Sequence, residues 1–91
     1  MKDVITNYIN ENYPELMDEI LLADGFEDAF MGVVYSMGSP PKACYDSDRC
    51  LKILEERDEM TPEEAEEYFD FNVISAYVGE FTPAFVKPLS N

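Results

Sequence analysis

The sequence predicts an α+β fold, with three or four helices packed on a short antiparallel β-hairpin in a single small domain, 1–91. Three observations lead there. Apolar residues recur at helical spacing near the amino terminus and again on both sides of residue 58. A run rich in strand-forming residues, 29–37, is followed by Gly38-Ser-Pro-Pro41, which reads as a turn. Ninety-one residues, 46% of them hydrophobic with six Phe and six Tyr, suffice for one modest core but not for a deep cleft between two lobes.

Taken in order, residues 2–13 place Val4, Ile5, Tyr8 and Ile9 at helical spacing, with Asp3 near the amino end. Pro14 interrupts. Beyond it Leu16, Met17, Ile20 and Leu21 share one side, opposite Glu15, Asp18 and Glu19. The pattern predicts two short helices, or one kinked at Pro14, forming an amino-terminal helical segment over 1–24 that Asp24-Gly25 ends. Residues 29–37 and 42–45 then form the hairpin, and Gly32 marks a bulge or a close backbone approach. A helix over 27–36 is the alternative, because the apolar residues there are continuous rather than alternating.

Asp46 is placed to cap a helix over 47–57, with Asp48 in its first turn where the helix dipole favours negative charge. Cys50, Leu51, Ile53 and Leu54 make its inward side. In the stretch 60–80, Thr61, Pro62 and Glu64 form a capping box with proline at the first helical position, and Met60 stands where a hydrophobic staple would. Gly79 is expected to end this helix in a left-handed conformation. Its first half is acidic on the outer face; its second half is apolar nearly all round and is expected to enter the core. Asn72 falls on the inward side with Ala65, Phe69, Val73 and Ala76, where its amide would tie the helix to the hairpin or tail. Tyr68 and Tyr77 read as core aromatics with hydroxyls at the rim. The chain then runs extended, Phe81 and Phe85 reach inward, Val86 can pair with the hairpin edge, and 87–91 form a flexible tail.

Charge is the compositional anomaly: 20 acidic residues against six basic, no His, net −14. Such a chain repels nucleic acid and anionic membranes and points to a basic partner; a merely solvated acidic domain is the plain alternative. Cys44 and Cys50, spaced C-x5-C without His, make neither a zinc site nor a disulfide framework. They read as buried free thiols in a reducing compartment, with a bridge between them as the alternative. Neither a signal sequence nor an apolar run long enough to span a membrane is present, so the expected location is cytoplasmic.

Between positions 58 and 70, seven of 13 residues are acidic and none is basic. On a helix Glu63, Glu66, Glu67 and Asp70 fall at i, i+3, i+4 and i+7, a stripe about 10 Å long. Glu55, Glu56, Asp58 and Glu59 lead into it. Like charges at this spacing weaken a helix by a few tenths of a kcal/mol per pair, so a solvated face would more cheaply include lysines. A row of carboxylates also imitates a phosphate backbone. Acid–base catalysis needs carboxylates in a pocket that separates their pKa values, and these are expected on an open face. Asp46-x-Asp48 and Asp24-Gly-Phe-Glu27-Asp28 lack the twelve-residue calcium pattern. Arg49, Lys52 and Arg57 read as partners for neighbouring acids.

Tyr45-Asp46, Cys50-x-x-Ile53-Leu54, Met60-Thr-x-Glu-Glu-Ala65, Glu67-Tyr68-Phe69-x-Phe71-Asn72-Val73, Ala76-x-Val78-Gly79-Glu80 and Thr82-Pro83 form a specific run. Over about residues 25–86 the chain resembles a family of small, functionally uncharacterised proteins encoded by tailed phages, prophages and some bacteria. One departure is Glu59, where such proteins are expected to have Gly. The resemblance implies a phage-linked origin and no chemistry.

The sequence-level expectation is therefore a non-enzymatic phage-type interaction protein without cofactor or metal. It would be a stoichiometric inhibitor occupying the basic groove of a host protein that binds nucleic acid or serves defence, through Glu55, Glu56, Asp58, Glu59, Glu63, Glu66, Glu67 and Asp70. An accessory or regulatory subunit that binds through an apolar carboxy-terminal surface is the second reading, and a small metal-dependent enzyme the third. A homodimer is compatible with either of the first two.

Overall fold

Gly38-Ser-Pro-Pro41 cannot continue a strand ladder, and the chain reverses there, the Ser39 N–H donating to the Ser36 carbonyl at 3.0 Å. On either side lie β1 (Phe30–Val34) and β2 (Lys42–Asp46), antiparallel, in a computed structural model that describes residues 2–89. Val34 faces Lys42, Val33 faces Ala43 and Gly32 faces Cys44; the ladder then skips to Phe30 opposite Tyr45. Met31 is the extra residue, so a bulge lies where Gly32 signalled one.

A third strand, β3 (Ala84–Val86), pairs with the other side of β2 and runs parallel to it, so the sheet is mixed and β2 is central. The fold is α+β, but the expected antiparallel hairpin is only part of its sheet. The connection permits the parallel sense, because a parallel neighbour requires a crossover and two helices separate β2 from β3. Among the described residues the α-helices are α1 (Lys2–Asn12), α2 (Ser47–Arg57) and α3 (Pro62–Phe69).

The second amino-terminal helix does not form. Pro14–Leu16 make one 3-10 turn, and the Leu16 carbonyl accepts from both Glu19 and Ile20 N–H groups at 2.9 Å. A nine-residue run behind a proline is too short to hold a helix on its own, and this turn is enough to bring Ile20 into the core. On α1 the buried stripe narrows to Ile5 and Ile9, leaving Val4 and Tyr8 exposed.

Around β2 the core closes: Ala43 and Tyr45 from the strand, Cys50 and Leu54 from α2, Ala65 and Phe69 from α3, with Phe26 and Ala29. Both caps form as the sequence requires. The Asp46 carboxylate accepts from the Arg49 N–H at 3.1 Å; Thr61 Oγ1 accepts from the Glu64 N–H at 3.2 Å, and Glu64 returns the bond to the Thr61 N–H at 2.9 Å. Met60 is half-buried against the core.

Past Phe69 the α-helix gives way to a π-helical turn, Asp70–Ile74, and the chain leaves the helix five residues before Gly79. A wider turn rotates the residues after it relative to an ideal α-helix, by about 100° for one added residue. Val73 stays half-buried, but Asn72 and Ala76 turn to solvent, and Asn72 Nδ2 donates to the Tyr68 carbonyl at 3.2 Å instead of to the hairpin or tail. Tyr68 and Tyr77 are exposed rather than core residues. Gly79 does have positive φ, 123°, but in a different role: its carbonyl accepts both the N–H and the hydroxyl of Thr82, at 3.1 and 2.6 Å. Phe81 and Phe85 pack on the core as expected. Of the expected tail, Lys87 pairs with Asp48 at 2.7 Å, while positions 90 and 91 lie outside the described residues.

Glu59, in the link between α2 and α3, has φ 54°, a left-handed conformation that costs an L-residue about 1–2 kcal/mol. Glycine adopts it freely but loses about 0.5–1 kcal/mol of backbone entropy. Glu59→Gly should therefore stabilise the fold by about 0.5–1 kcal/mol in urea unfolding; a lowered midpoint would contradict the assigned geometry.

Candidate protein interface

The acidic helix needs only two anchors. Ala65 and Phe69, four residues apart, carry α3 against the core, and the other six of its eight residues face solvent. Glu63, Glu66, Glu67 and Asp70 are all exposed, so the predicted stripe exists as a face. Glu56 and Glu59 are exposed and Glu55 is half-buried, and they continue the negative surface along the end of α2.

Asp58 is different from the rest. Arg57 grips its carboxylate through Nε at 3.1 Å and Nη2 at 3.0 Å, and this bond holds the Asp58 carboxyl below its usual range. The same guanidinium donates from Nη1 to the Gly25 carbonyl at 2.7 Å and lies 5.6 Å from the centre of the Phe26 ring. Arg57 thus ties the 24–26 loop to the end of α2, which is a structural task. Gly25 permits it: φ is 92°, and a Cβ there would come within 2.9 Å of Nη1. At the other end, Asp48 raises the Lys87 ammonium above its usual value, with a smaller contribution from Glu66.

Beyond the acids the structure exposes what the sequence appeared to bury. Phe71 is 79% exposed, Ile74 48%, Tyr77 76% and Val78 67%. An open depression joins the two kinds of surface: Glu59, Glu64 and Glu67 stand beside Met60, Tyr68 and Phe71. Glu64 is committed to the helix cap, which leaves Glu59 and Glu67 for a ligand cation. A Lys or Arg side chain suits this chemistry, its charge against the carboxylates and its stem or plane along the aromatic rings. A second groove, of about 450 Å³, is lined by Leu21, Leu22, Phe26, Val73, Val78, Pro83 and Phe85 among others. The sequence does not reveal it, because it brings residues 21–26 against residues 73–85, which are distant in the chain.

Neither cysteine is an activated nucleophile. Burial pushes the Cys44 thiol up, and burial, with the negative charge of Asp46, pushes Cys50 up to about 12. Both are free thiols, Cys50 in the core and Cys44 half-buried on β2. Among the described residues no three His, Cys, Asp or Glu are grouped to hold a metal ion, and no helix is long and apolar enough to cross a membrane.

Comparison with known proteins adds no relative: no family model, no curated protein and no solved structure matches this chain.

The Cys50 thiol, the less buried Cys44 thiol and the buried phenol of Tyr45, all raised chiefly by burial, set an alkaline limit. Raised folded-state values mean that the native chain keeps protons which the unfolded chain releases. Stability is thus complete below the ordinary thiol value, about 8.5, and falls as pH rises from there toward 12. Cys50→Ala should flatten the decline between about pH 9 and 10, where an unfolded thiol but not yet an unfolded phenol ionises. An equally steep decline in that variant would show that Cys50 is not the group responsible.

Proposed function

We propose that this chain is a non-enzymatic protein that binds a basic surface of a protein partner through α3, with the carboxylate face steering the encounter and the exposed apolar end anchoring it. The observation that carries this reading is the adjacency of the two surfaces: Glu67, at the heart of the stripe, shares a depression with Tyr68 and Phe71. Charge alone gives on-rate and orientation, while buried aromatic anchors give most of the binding energy at protein interfaces. This chain presents both on one short helix and its continuation.

The basic groove of a protein that binds nucleic acid fits such a face best, because carboxylates a few ångströms apart substitute for phosphates. The chain would then act as a stoichiometric competitor of the nucleic acid. The resemblance to phage-encoded proteins supports a host nucleic-acid-binding or defence protein, in the host cytoplasm, as the target. An accessory subunit docking mainly through Phe71, Ile74, Tyr77 and Val78 is the second reading, favoured by their exposure. The two differ in salt dependence: a phosphate-like contact weakens steeply with salt, an apolar one does not.

The test is to immobilise the chain, pass host lysate over it, and release the bound proteins by salt steps and by duplex DNA. Wild type should retain basic proteins that either treatment elutes. Glu66→Lys/Asp70→Lys should lose them, binding the recovered partner more weakly by several kcal/mol, as expected for reversed charges in a partly desolvated interface. Its melting temperature should be maintained or raised, because both positions are exposed and lysines relieve repulsion along the helix. Phe71→Ala should weaken binding by about 2 kcal/mol or more, equally at low and high salt. Retention of the same partner by the charge-reversed variant at low salt would reduce the stripe to a solvated face.

A further inference from the structure

One stretch of the chain carries none of its acidity. All 20 acidic residues lie outside 29–45, where the only charged residue is Lys42. This stretch holds all of β1, the turn and β2 except its last residue, Asp46, and β1 is an edge: among the described residues no strand lies on its outer side. Its surface is apolar. Met31 is 57% exposed, Val34 39% and Tyr35 69%, and beside them Tyr8 of α1 is 41% exposed with its ring 6.4 Å from that of Phe30. Edge strands are ordinarily blunted with charge, proline, a bulge or a cover, since their unpaired backbone groups recruit further strands; β1 has the bulge at Met31 but neither charge nor proline. In a chain so rich in carboxylates, β1 has none.

We propose that β1 pairs with β1 of a second copy, antiparallel about a two-fold axis, to join two three-stranded sheets into one. Charge selects the occupant. Two molecules of net charge −14 repel one another unless they meet where carboxylates are missing, and β1 is such a place. The acidic helix sits at the opposite side of the sheet: Phe69 of α3 packs edge-on against Phe85 of β3 at 5.2 Å, and β2 lies between β3 and β1. Pairing through β1 therefore leaves the two acidic faces at the far ends of the joined sheet. A basic partner, by contrast, is drawn to those ends and away from Lys42. Growth stops at two copies because the other edge, β3, is three residues long between Pro83 and Pro88, neither of which can donate to a ladder.

Sedimentation of the full chain tests this, at concentrations up to about 0.5 mM and at about 20 and about 500 mM salt. A dimer should appear and strengthen with salt as the mutual repulsion is screened, which is the opposite of the salt response of a basic partner. Met31→Lys/Tyr35→Lys places like charges across the two-fold axis and should weaken the dimer by about tenfold or more, with an unchanged melting temperature because both side chains are exposed. That variant also lowers the net negative charge, so non-specific charge effects alone would strengthen association. A wild-type chain that stays monomeric at the highest concentration and salt overturns the proposal, and so does a dimer that the paired lysines leave intact. Either failure is separable from the binding of a basic partner, since Glu66→Lys/Asp70→Lys leaves β1 unaltered and should dimerise at least as well as wild type.

Discussion

The fold depends on one buried side chain, Tyr45. It is 1% exposed, the last residue but one of the central strand, with its ring 5.6 Å from Phe30 on β1 and 5.7 Å from Phe85 on β3, and its hydroxyl accepts the Ala23 N–H at 2.9 Å. A single residue thus joins both neighbouring strands to the end of the amino-terminal segment, and that hydrogen bond is the condition on which a phenol can be buried. The contacts continue outward: Phe85 meets Phe69 at 5.2 Å, Phe69 meets Phe26 at 6.4 Å, and Arg57 lies over Phe26. Each edge-on pair contributes about 0.5–1.5 kcal/mol beyond its buried area. A chain of aromatic contacts from the hairpin to the end of α2 opposes the self-repulsion of net charge −14.

That arrangement explains how the protein tolerates its acidic helix. Phe69 is both the inner anchor of α3 and a member of the aromatic chain, so the helix is fixed without help from its outer residues. Those positions are free to carry carboxylates. The capping box satisfies the first turn and places Glu63 and Glu64 near the positive end of the helix dipole, which offsets part of the crowding. The same economy leaves the apolar end of the helix without cover. Once the π-helical turn at Asp70–Ile74 has rotated the chain, Phe71 and Tyr77 lie 79% and 76% exposed.

Local chemistry was legible in the residues and tertiary geometry was not. Thr61 with Glu64, Asp46 before α2, the Gly38 turn and the bulge near Gly32 each depend on neighbours within a few positions, and each forms as the sequence indicates. Asn72 and Tyr77 were misplaced because a 3.6-residue period was carried past Phe69, where the helix widens. The helix expected after Pro14 fails for the converse reason: its apolar spacing is correct, but the segment gains more by delivering Ile20 to the core from a turn. β3 was visible as an extended segment able to pair with the hairpin edge, while its parallel sense was not, because the two helices predicted before it can deliver a strand in either direction. The four carboxylates of the stripe, set by spacing on a short and well-capped helix, are all exposed; of the acids leading into it, Asp58 is held by Arg57.

The central claim is that α3 ends in an apolar surface facing solvent beside its carboxylates, rather than in the core as the sequence pattern suggests. Nuclear magnetic resonance of the aromatic rings in dilute, low-salt protein, with a soluble neutral paramagnetic agent added, tests this without any partner. Phe71 and Tyr77 should broaden strongly, whereas Phe69 and Tyr45, which are 4% and 1% exposed, should stay sharp. Protection of Phe71 and Tyr77 to the level of Phe69 would place the helix end in the core and remove the surface on which the proposed interface is built.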